Sequence, residues 1–218
     1  MTAAGAVGLN VRMEDDHPDL PWPLTGADSL RDEVLAAYAD PARGHHGVDH
    51  LREVLRRLDE LEEAGARYDR VPVQLAAWFH DAVYDGERDA EERSAVWAEH
   101  ALAPLVDEAT VAEVTRLVRL TEHHRPEPED GNGCALSDAD LAILASGAQR
   151  YDQYVAAVRK EYAHLPDEVF AAGRGDVLRQ LAAKPRLFHT AHGLATWEEP
   201  ARANLARELE KLPPAEAD

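Results

Sequence analysis

Apolar residues recur every three or four positions along most of this chain, which is the spacing of one face of an α-helix. The longest stripe consists of Leu51, Val54, Leu55, Leu58 and Leu61. Comparable stripes predict helices over residues 28–40, 71–79, 89–105, 108–124, 151–165, 177–183 and 201–212. The sequence has no alternating strand pattern of useful length and no internal repeat. We therefore predict an all-α bundle of about eight or nine helices in a single domain.

The same pattern divides the chain into three parts. Residues 1–26 contain several glycines and prolines and an acidic cluster, and they predict a loosely ordered N-terminal arm with Trp22 as its anchor. Residues 27–212 carry the helical stripes and form the predicted domain, which is long enough to bury a sizeable core. Residues 213–218 form a short acidic tail.

Charge and cysteine content narrow the possible functions. Lys and Arg number 23 against 42 Asp and Glu, a formal net charge of −19, which argues against nucleic-acid polymers and membranes as partners. An anionic substrate would then need a metal ion and a few local cations. Cys134 is the only cysteine, so no intrachain disulfide forms and a cytoplasmic, reducing location is expected. An apolar helix face over residues 205–212 would suit either a homodimer or the protein's own core.

A histidine and a carboxylate, His80 and Asp81, stand at the end of the apolar run 71–79. A buried carboxylate needs a partner, and a metal ion would supply one. Asp85 lies four residues after Asp81 and is expected on the same helical face, where a nearby cation would relieve their repulsion of roughly 0.2–0.5 kcal/mol. A histidine–aspartate pair at a helix end is also common in ordinary cores, so this pair alone does not define a site.

Two histidine clusters have both a functional and a structural interpretation. His46 and His50 would share a helical face if their helix begins by residue 46, and they could equally be a polar cap, with Asp49 as the N-cap residue. His123 and His124 stand at the end of the predicted helix 108–124, beside Arg125. The C-terminus of a helix favours positively charged side chains, which gives these residues a structural explanation. The same cluster of hydrogen-bond donors could also hold a phosphate.

The pair Asp138 and Asp140 flanks another apolar helix. Ser137 with Asp140 fits a capping box, which would make Asp140 a helix-start residue. Because the helix must pack into the core, one of the two carboxylates is expected to point inward and to need a partner.

Taken in order, these signals resemble the HD superfamily of metal-dependent phosphohydrolases. The residues that carry the resemblance are His50 with the Leu-x-x-Val spacing after it, His80-Asp81, and Asp140. More narrowly, residues 28–212 resemble a bacterial branch of predicted HD-domain phosphohydrolases. Its motifs are Tyr38-Ala39-Asp40-Pro41-x-Arg43, His46-x-x-x-His50, Phe79-His80-Asp81-x-x-Tyr84-Asp85, Thr121-x-x-His124, Asp138-x-Asp140-Leu141, Arg159-x-Glu161-Tyr162 and Ala201-Arg202-x-Asn204-Leu205.

The resemblance implies a single HD-type helical domain with one divalent metal ion held by His50, His80, Asp81 and Asp140. Two imidazoles and two carboxylates suit Mn, Fe, Co, Ni or Mg. Such an ion would polarise a phosphoryl oxygen and lower the pKa of a bound water. The implied catalytic carboxylates are the ligand Asp81 and, for orienting or deprotonating the water, Asp85. Tyr84 departs from related hydrolases, which carry a second acid there.

The implied substrate is a small-molecule phosphate ester or anhydride, such as a nucleotide. Its expected phosphate contacts are His46, His123, His124, Arg43, Arg159 and Lys160. Arg159 and Lys160 fit surface ion pairs equally well. Two alternative functions stay open: a di-iron oxygenase, which would need extra histidine ligands, and a metal-stabilised binding module without turnover.

Overall fold

A computed structural model describes residues 20–213 of the chain. Within this range the protein consists of α-helices joined by short connections, and it contains no strand. The helices are α1 (Asp28–Tyr38), α2 (Val48–Glu63), α3 (Arg70–Phe79), α4 (Ala90–Leu102), α5 (Glu108–Leu120), α6 (Gly131–Leu141), α7 (Ala148–Glu161), α8 (Asp167–Ala183), α9 (Ala191–Thr196) and α10 (Glu198–Leu209), with a 3-10 turn at Ala142–Ala145. The predicted all-α bundle is confirmed, with ten helices in this range.

Helix α3 is the central element of the core. Every residue from Val73 to Phe79 is buried, because the helix is apolar on nearly all sides. It packs against α2, α4, α5 and α6, and α4 also packs against α5. The end of this buried helix therefore delivers its last residues, and the dipeptide that follows it, to the middle of the molecule.

The end of α3 corrects one prediction. The helix stops at Phe79 with His80 as its C-terminal cap, and the chain then turns, with the amide of Ala82 donating to the carbonyl oxygen of Phe79. Asp81 and Asp85 therefore share no helical face. The shared face was expected because a helix was assumed to run through both residues.

Two helix starts also differ from the sequence interpretation. Helix α2 begins at Val48 behind the N-cap residue Gly47, so His46 precedes the helix and Asp49 is not its cap. Helix α6 begins at Gly131, where the side chain of Asp130 accepts a hydrogen bond from the amide of Gly133. An earlier capping residue thus starts each of these helices.

The start of α6 settles the role of Ser137 and Asp140 in the helix. Both residues lie in its second half, so they do not form a capping box. Ser137 is buried, and Asp140 is partly buried near the end of the helix.

The described part of the predicted N-terminal arm packs onto the domain. Leu20 is buried, and the indole of Trp78 donates a hydrogen bond to the carbonyl oxygen of Pro21 at 3.0 Å. The ring of Trp22 meets that of Trp78 edge-on at 5.0 Å, which confirms Trp22 as an anchor. Residues 1–19 of the predicted arm, and 214–218 of the predicted tail, lie outside the described range. No helix within residues 20–213 is long and apolar enough to cross a lipid bilayer.

Candidate metal centre

Three helices bring potential metal ligands to one buried point. His50 comes from the first turn of α2, His80 from the end of α3, and Asp140 from the end of α6. The Nε2 atoms of His50 and His80 are 3.1 Å apart, and Asp140 Oδ1 lies 3.1 Å from the first and 3.7 Å from the second. One ligand atom from each residue fits within a span of 4.8 Å. This group could bind a metal ion.

Asp81 completes the cluster from the turn after α3. Its Oδ2 atom lies 3.1 Å from His80 Nε2 and 3.4 Å from His50 Nε2. The same atom is buried and makes no hydrogen bond. A buried carboxylate oxygen without a hydrogen-bond partner is unfavourable, and a cation at the centre of the cluster would satisfy it.

The orientation of His80 also suits a ligand. Its Nδ1 atom lies 2.8 Å from the carbonyl oxygen of Ala77, so Nδ1 carries the proton and donates to that oxygen. Nε2 then faces the carboxylates of Asp81 and Asp140. Metal-binding histidines are commonly held by this kind of hydrogen bond from the second ring nitrogen. The donor set of two imidazoles and two carboxylates therefore fits a divalent ion.

The electrostatics of the cluster show how strongly it attracts positive charge. Burial alone would lower the pKa of His50, but the carboxylates of Asp140 and Asp81 raise it to about 10. For Asp140 the effects are reversed: burial alone would raise the pKa of its carboxyl group, but His80, His50 and His124 lower it to about 2. Protons shared within the cluster compensate the two carboxylates, and a divalent cation would replace those protons.

The loop before α2 is held by Glu161 at the end of α7. One oxygen of Glu161 accepts hydrogen bonds from the amides of Gly44, His45 and His46 at 2.8–2.9 Å, and the other lies 2.9 Å from His46 Nδ1. The His46 ring stacks on Tyr84 with centroids 4.0 Å apart. His46 therefore lies beside the cluster in a fixed orientation. Glu161 was visible in the sequence only as part of a motif, without a role.

Arg43 has a structural rather than a substrate-binding environment. Its guanidinium donates to the carbonyl oxygens of His46, Asp81 and Ala82 at 2.7–2.9 Å. It thereby ties the loop before α2 to the turn after α3, and Arg43 does not line the cleft above the cluster.

The turn after α5 places one of its two histidines in the site. His124 adopts a positive φ of 48°, its Nε2 lies 3.5 Å from Asp140 Oδ2, and its Nδ1 lies 3.2 Å from the hydroxyl of Ser137. Burial lowers the pKa of His124 to about 4, so the ring is neutral at physiological pH. The side chain of His123 is mostly exposed, and it lines the cleft above the cluster without contacting the cluster.

Lys184 is a residue that sequence reasoning missed. Its ammonium group donates to the carbonyl oxygens of His123 and His124 at 2.7 and 2.8 Å, and burial lowers its pKa to about 8. It follows α8 directly and carries no motif. Only the folded chain brings it beside the turn after α5.

Asp138 and Asp140 have separate roles. The carboxylate of Asp138 is fully buried and accepts hydrogen bonds from the amides of His189 and Thr190 and from the Thr190 hydroxyl, at 2.7–2.8 Å. It fastens the segment before α9 to α6. Asp140, two residues later, is the carboxylate that faces the histidines.

Three other predicted site residues stand apart from the cluster. Asp85 is half-exposed, and Arg93 donates two hydrogen bonds to its carboxylate at 2.7 and 2.9 Å. Arg159 donates to the carbonyl oxygens of Tyr162 and Leu165 and pairs with Asp167 at the end of α7. Lys160 is exposed. The structure brings none of these side chains to the metal ligands.

A cleft of about 610 Å³ opens above the cluster. Asp81, Asp140, His46 and His124 line its polar floor, while side chains of α7 and α8 form apolar walls. The volume lies within the range of small-molecule binding sites. The cleft is therefore large enough to present a small substrate to the cluster.

Compared with known proteins, the chain matches no family model, no curated protein and no solved structure. The resemblance to the HD superfamily accordingly stays a prediction. What bears on function is the chemistry of the cluster itself, a buried group of two histidines and an aspartate that could bind a metal ion.

Proposed function

We propose that the protein is a metal-dependent phosphohydrolase that cleaves a phosphate ester or anhydride of a small molecule. The observation that carries the proposal is the convergence of His50, His80, Asp140 and Asp81, including a buried Asp81 oxygen without a hydrogen-bond partner, at the floor of a cleft. These four residues would hold one divalent ion, of the group Mn, Fe, Co, Ni or Mg.

A divalent ion bound there would supply Lewis-acid activation of the phosphoryl group and of the attacking water. The residues around it support a phosphate ligand. His46, fixed through Nδ1 by Glu161, has its Nε2 available to hydrogen-bond a substrate oxygen or a water. Lys184 and Arg125 line the same cleft beside His124 and provide positive charge for an anionic substrate. The strongly acidic protein would thus bind an anion through local cations only.

A second function has one observation in its favour. His124 Nε2 lies 3.5 Å from the Asp140 oxygen that faces away from the other two histidines. An ion shared between His124 and Asp140 would make a two-metal centre, as the di-iron oxygenase alternative requires. Metal stoichiometry separates the two functions, because the hydrolase proposed here uses one ion and the oxygenase needs two irons.

The test combines metal analysis with a phosphate-release screen on the purified full chain and on two variants. His80→Ala removes a ligand, and Asp85→Asn is the matched control because it neutralises a nearby carboxylate outside the cluster. We expect one divalent ion per chain and phosphate release in the wild type and in Asp85→Asn, and loss of both in His80→Ala. Two irons per chain with oxygen consumption would favour the oxygenase. A metal bound without turnover of any phosphate compound would favour the binding module.

A further inference from the structure

Helix α8 has two apolar faces with different surroundings. Gly175 and Leu178 are buried, and α8 packs against α10. The other face carries Phe170, Gly173 and Val177, spaced three and four residues apart, and this face lines the cleft. The second face therefore belongs to the wall of the cleft and not to the core of the domain. We call this face the α8 wall.

This cleft-facing side is unusually exposed for apolar side chains. Val169 is 55% exposed and Val177 is 50% exposed, and both line the cleft. The opposite wall continues the apolar character with Val158 of α7 and Leu165 beyond it. Exposed apolar surface that is continuous and concave typically marks a binding site for an apolar group.

The α8 wall offers little to a charged or strongly polar group. Arg174 is the only charged side chain of α8 that lines the cleft, and it is occupied by two contacts with Glu208 at 2.8 and 3.1 Å and by one with the Tyr154 hydroxyl at 3.0 Å. Gln180 is the only other polar side chain of this helix that lines the cleft. The other Lys and Arg side chains that line the cleft are Lys184 and Arg125, and Lys184 lies beside the turn that carries His124.

The cleft is thus divided between a polar, cation-binding floor and an apolar wall. We propose that the α8 wall binds an uncharged apolar group of the substrate, so that the protein acts on phosphate esters of aromatic or aliphatic alcohols in preference to small polar phosphates. This substrate class rests on the proposed phosphohydrolase function. Gly173 contributes by leaving space, since a Cβ atom there would meet no atom within 4 Å.

The test measures binding of two unreactive probes, phenylphosphonate and methylphosphonate, to the Mn²⁺-loaded full chain by calorimetry. Burial of the phenyl ring against the wall predicts that phenylphosphonate binds roughly tenfold or more tightly than methylphosphonate. Val177→Asp should abolish most of that preference. Ala172→Asp is the matched control, because it adds the same charge at an exposed position of the same helix that does not line the cleft.

A second pair of variants tests the space at Gly173. Gly173→Leu should weaken phenylphosphonate binding while leaving methylphosphonate binding unchanged, and Ala172→Leu should change neither. All four substitutions are at exposed positions, so circular dichroism should report an unaltered helical fold.

The outcomes separate this inference from the proposed function. Equal affinity for the two probes, no binding of either, or equal losses in Val177→Asp and Ala172→Asp would overturn the apolar site. Phosphate release is measured in parallel with phenyl phosphate and glycerol phosphate as substrates. A binding preference without phosphate release from either compound would support the apolar site and reject the hydrolase, whereas equal release from both without a binding preference would do the reverse.

Discussion

The Nε2 atoms of His50 and His80 lie 3.1 Å apart, and both rings are buried. Asp140 and Asp81 raise the pKa of His50, so its ring holds a proton in this contact, and a divalent cation in place of that proton would be coordinated by both rings and both carboxylates. The sequence places these histidines 30 residues apart, on different helices. Their proximity is the main reason to expect a bound metal.

The first prediction is that a divalent ion stabilises the fold. Saturating Mn²⁺ or Ni²⁺, at about 100 times its dissociation constant, should raise the free energy of unfolding by about 2.7 kcal/mol. Thermal unfolding of chelator-treated protein, with and without added metal, measures the effect. His80→Ala should show no metal-dependent shift, and an equal shift in that variant would place the ion elsewhere.

The second prediction separates Asp138 from Asp140. Asp138→Ala should lower the free energy of unfolding by about 1–3 kcal/mol, because the amides of His189 and Thr190 lose their buried acceptor. Metal stoichiometry should stay unchanged in that variant. Asp140→Ala should lose the metal instead. Chemical denaturation and elemental analysis on both variants check the assignment, and loss of metal in Asp138→Ala alone would reverse it.

The third prediction concerns Asp85, which the sequence resemblance implied as a catalytic carboxylate. Since its carboxylate is half-exposed and pairs with Arg93, we expect Asp85→Asn to retain metal content and kcat within about twofold of wild type. Steady-state kinetics on the metal-loaded protein provide the measurement. A fall in kcat of roughly 100-fold, the scale of general-base removal, would restore Asp85 as the general base.

The fourth prediction is a pH-dependent role for Glu161. Glu161→Gln should lower the free energy of unfolding by about 1–3 kcal/mol at neutral pH, because amides of residues 44–46 share this buried carboxylate. Burial alone would raise the pKa of Glu161, but His46 and these amides lower it below the ordinary value of 4.5.

The sign of the pH dependence follows from that lowered pKa. The folded protein binds fewer protons at Glu161 than the unfolded chain, so the stabilisation is complete above pH 4.5 and is lost as the pH falls through the lower folded-state pKa. The difference between wild type and Glu161→Gln should therefore shrink in acid. Urea denaturation across pH 3–7 measures it, with the exposed Glu168→Gln as control. A constant difference would contradict the assignment.

The fifth prediction tests the close contact between the loop before α2 and α7. A Cβ atom at Gly44 would overlap the carbonyl oxygen of Ala157, so Gly44→Ala must displace backbone and should cost about 1–3 kcal/mol of stability. Gly173→Ala is the matched control. Its Cβ meets open space within a helix, and the change should leave stability unaltered or raise it by up to about 1 kcal/mol. Similar melting temperatures for the two variants would contradict the contact.

The sequence by itself determined the helices and the residue types of the site. Three- and four-residue spacing of apolar side chains marks helices such as α2 and α3 because the period belongs to the local backbone and needs no knowledge of neighbours. The set His50, His80, Asp81 and Asp140 is what the resemblance implies, since the residue pattern left a cap role for His50 and the choice between Asp138 and Asp140 open. His80 and Asp81 drew attention for a related reason. Histidines and carboxylates within apolar segments must find partners when those segments are buried.

Only the tertiary structure decided which of these groups meet. The loop function of Arg43, the contact of Lys184 with the turn after α5, and the pairing of Asp85 with Arg93 depend on packing between elements distant in sequence. The positions of helix ends also could not be predicted from the apolar pattern. The apolar period does not show that α3 stops at Phe79 or that α2 starts after Gly47. A shift of a few residues at such an end turns a side chain to a different face, and this decides whether it reaches the site.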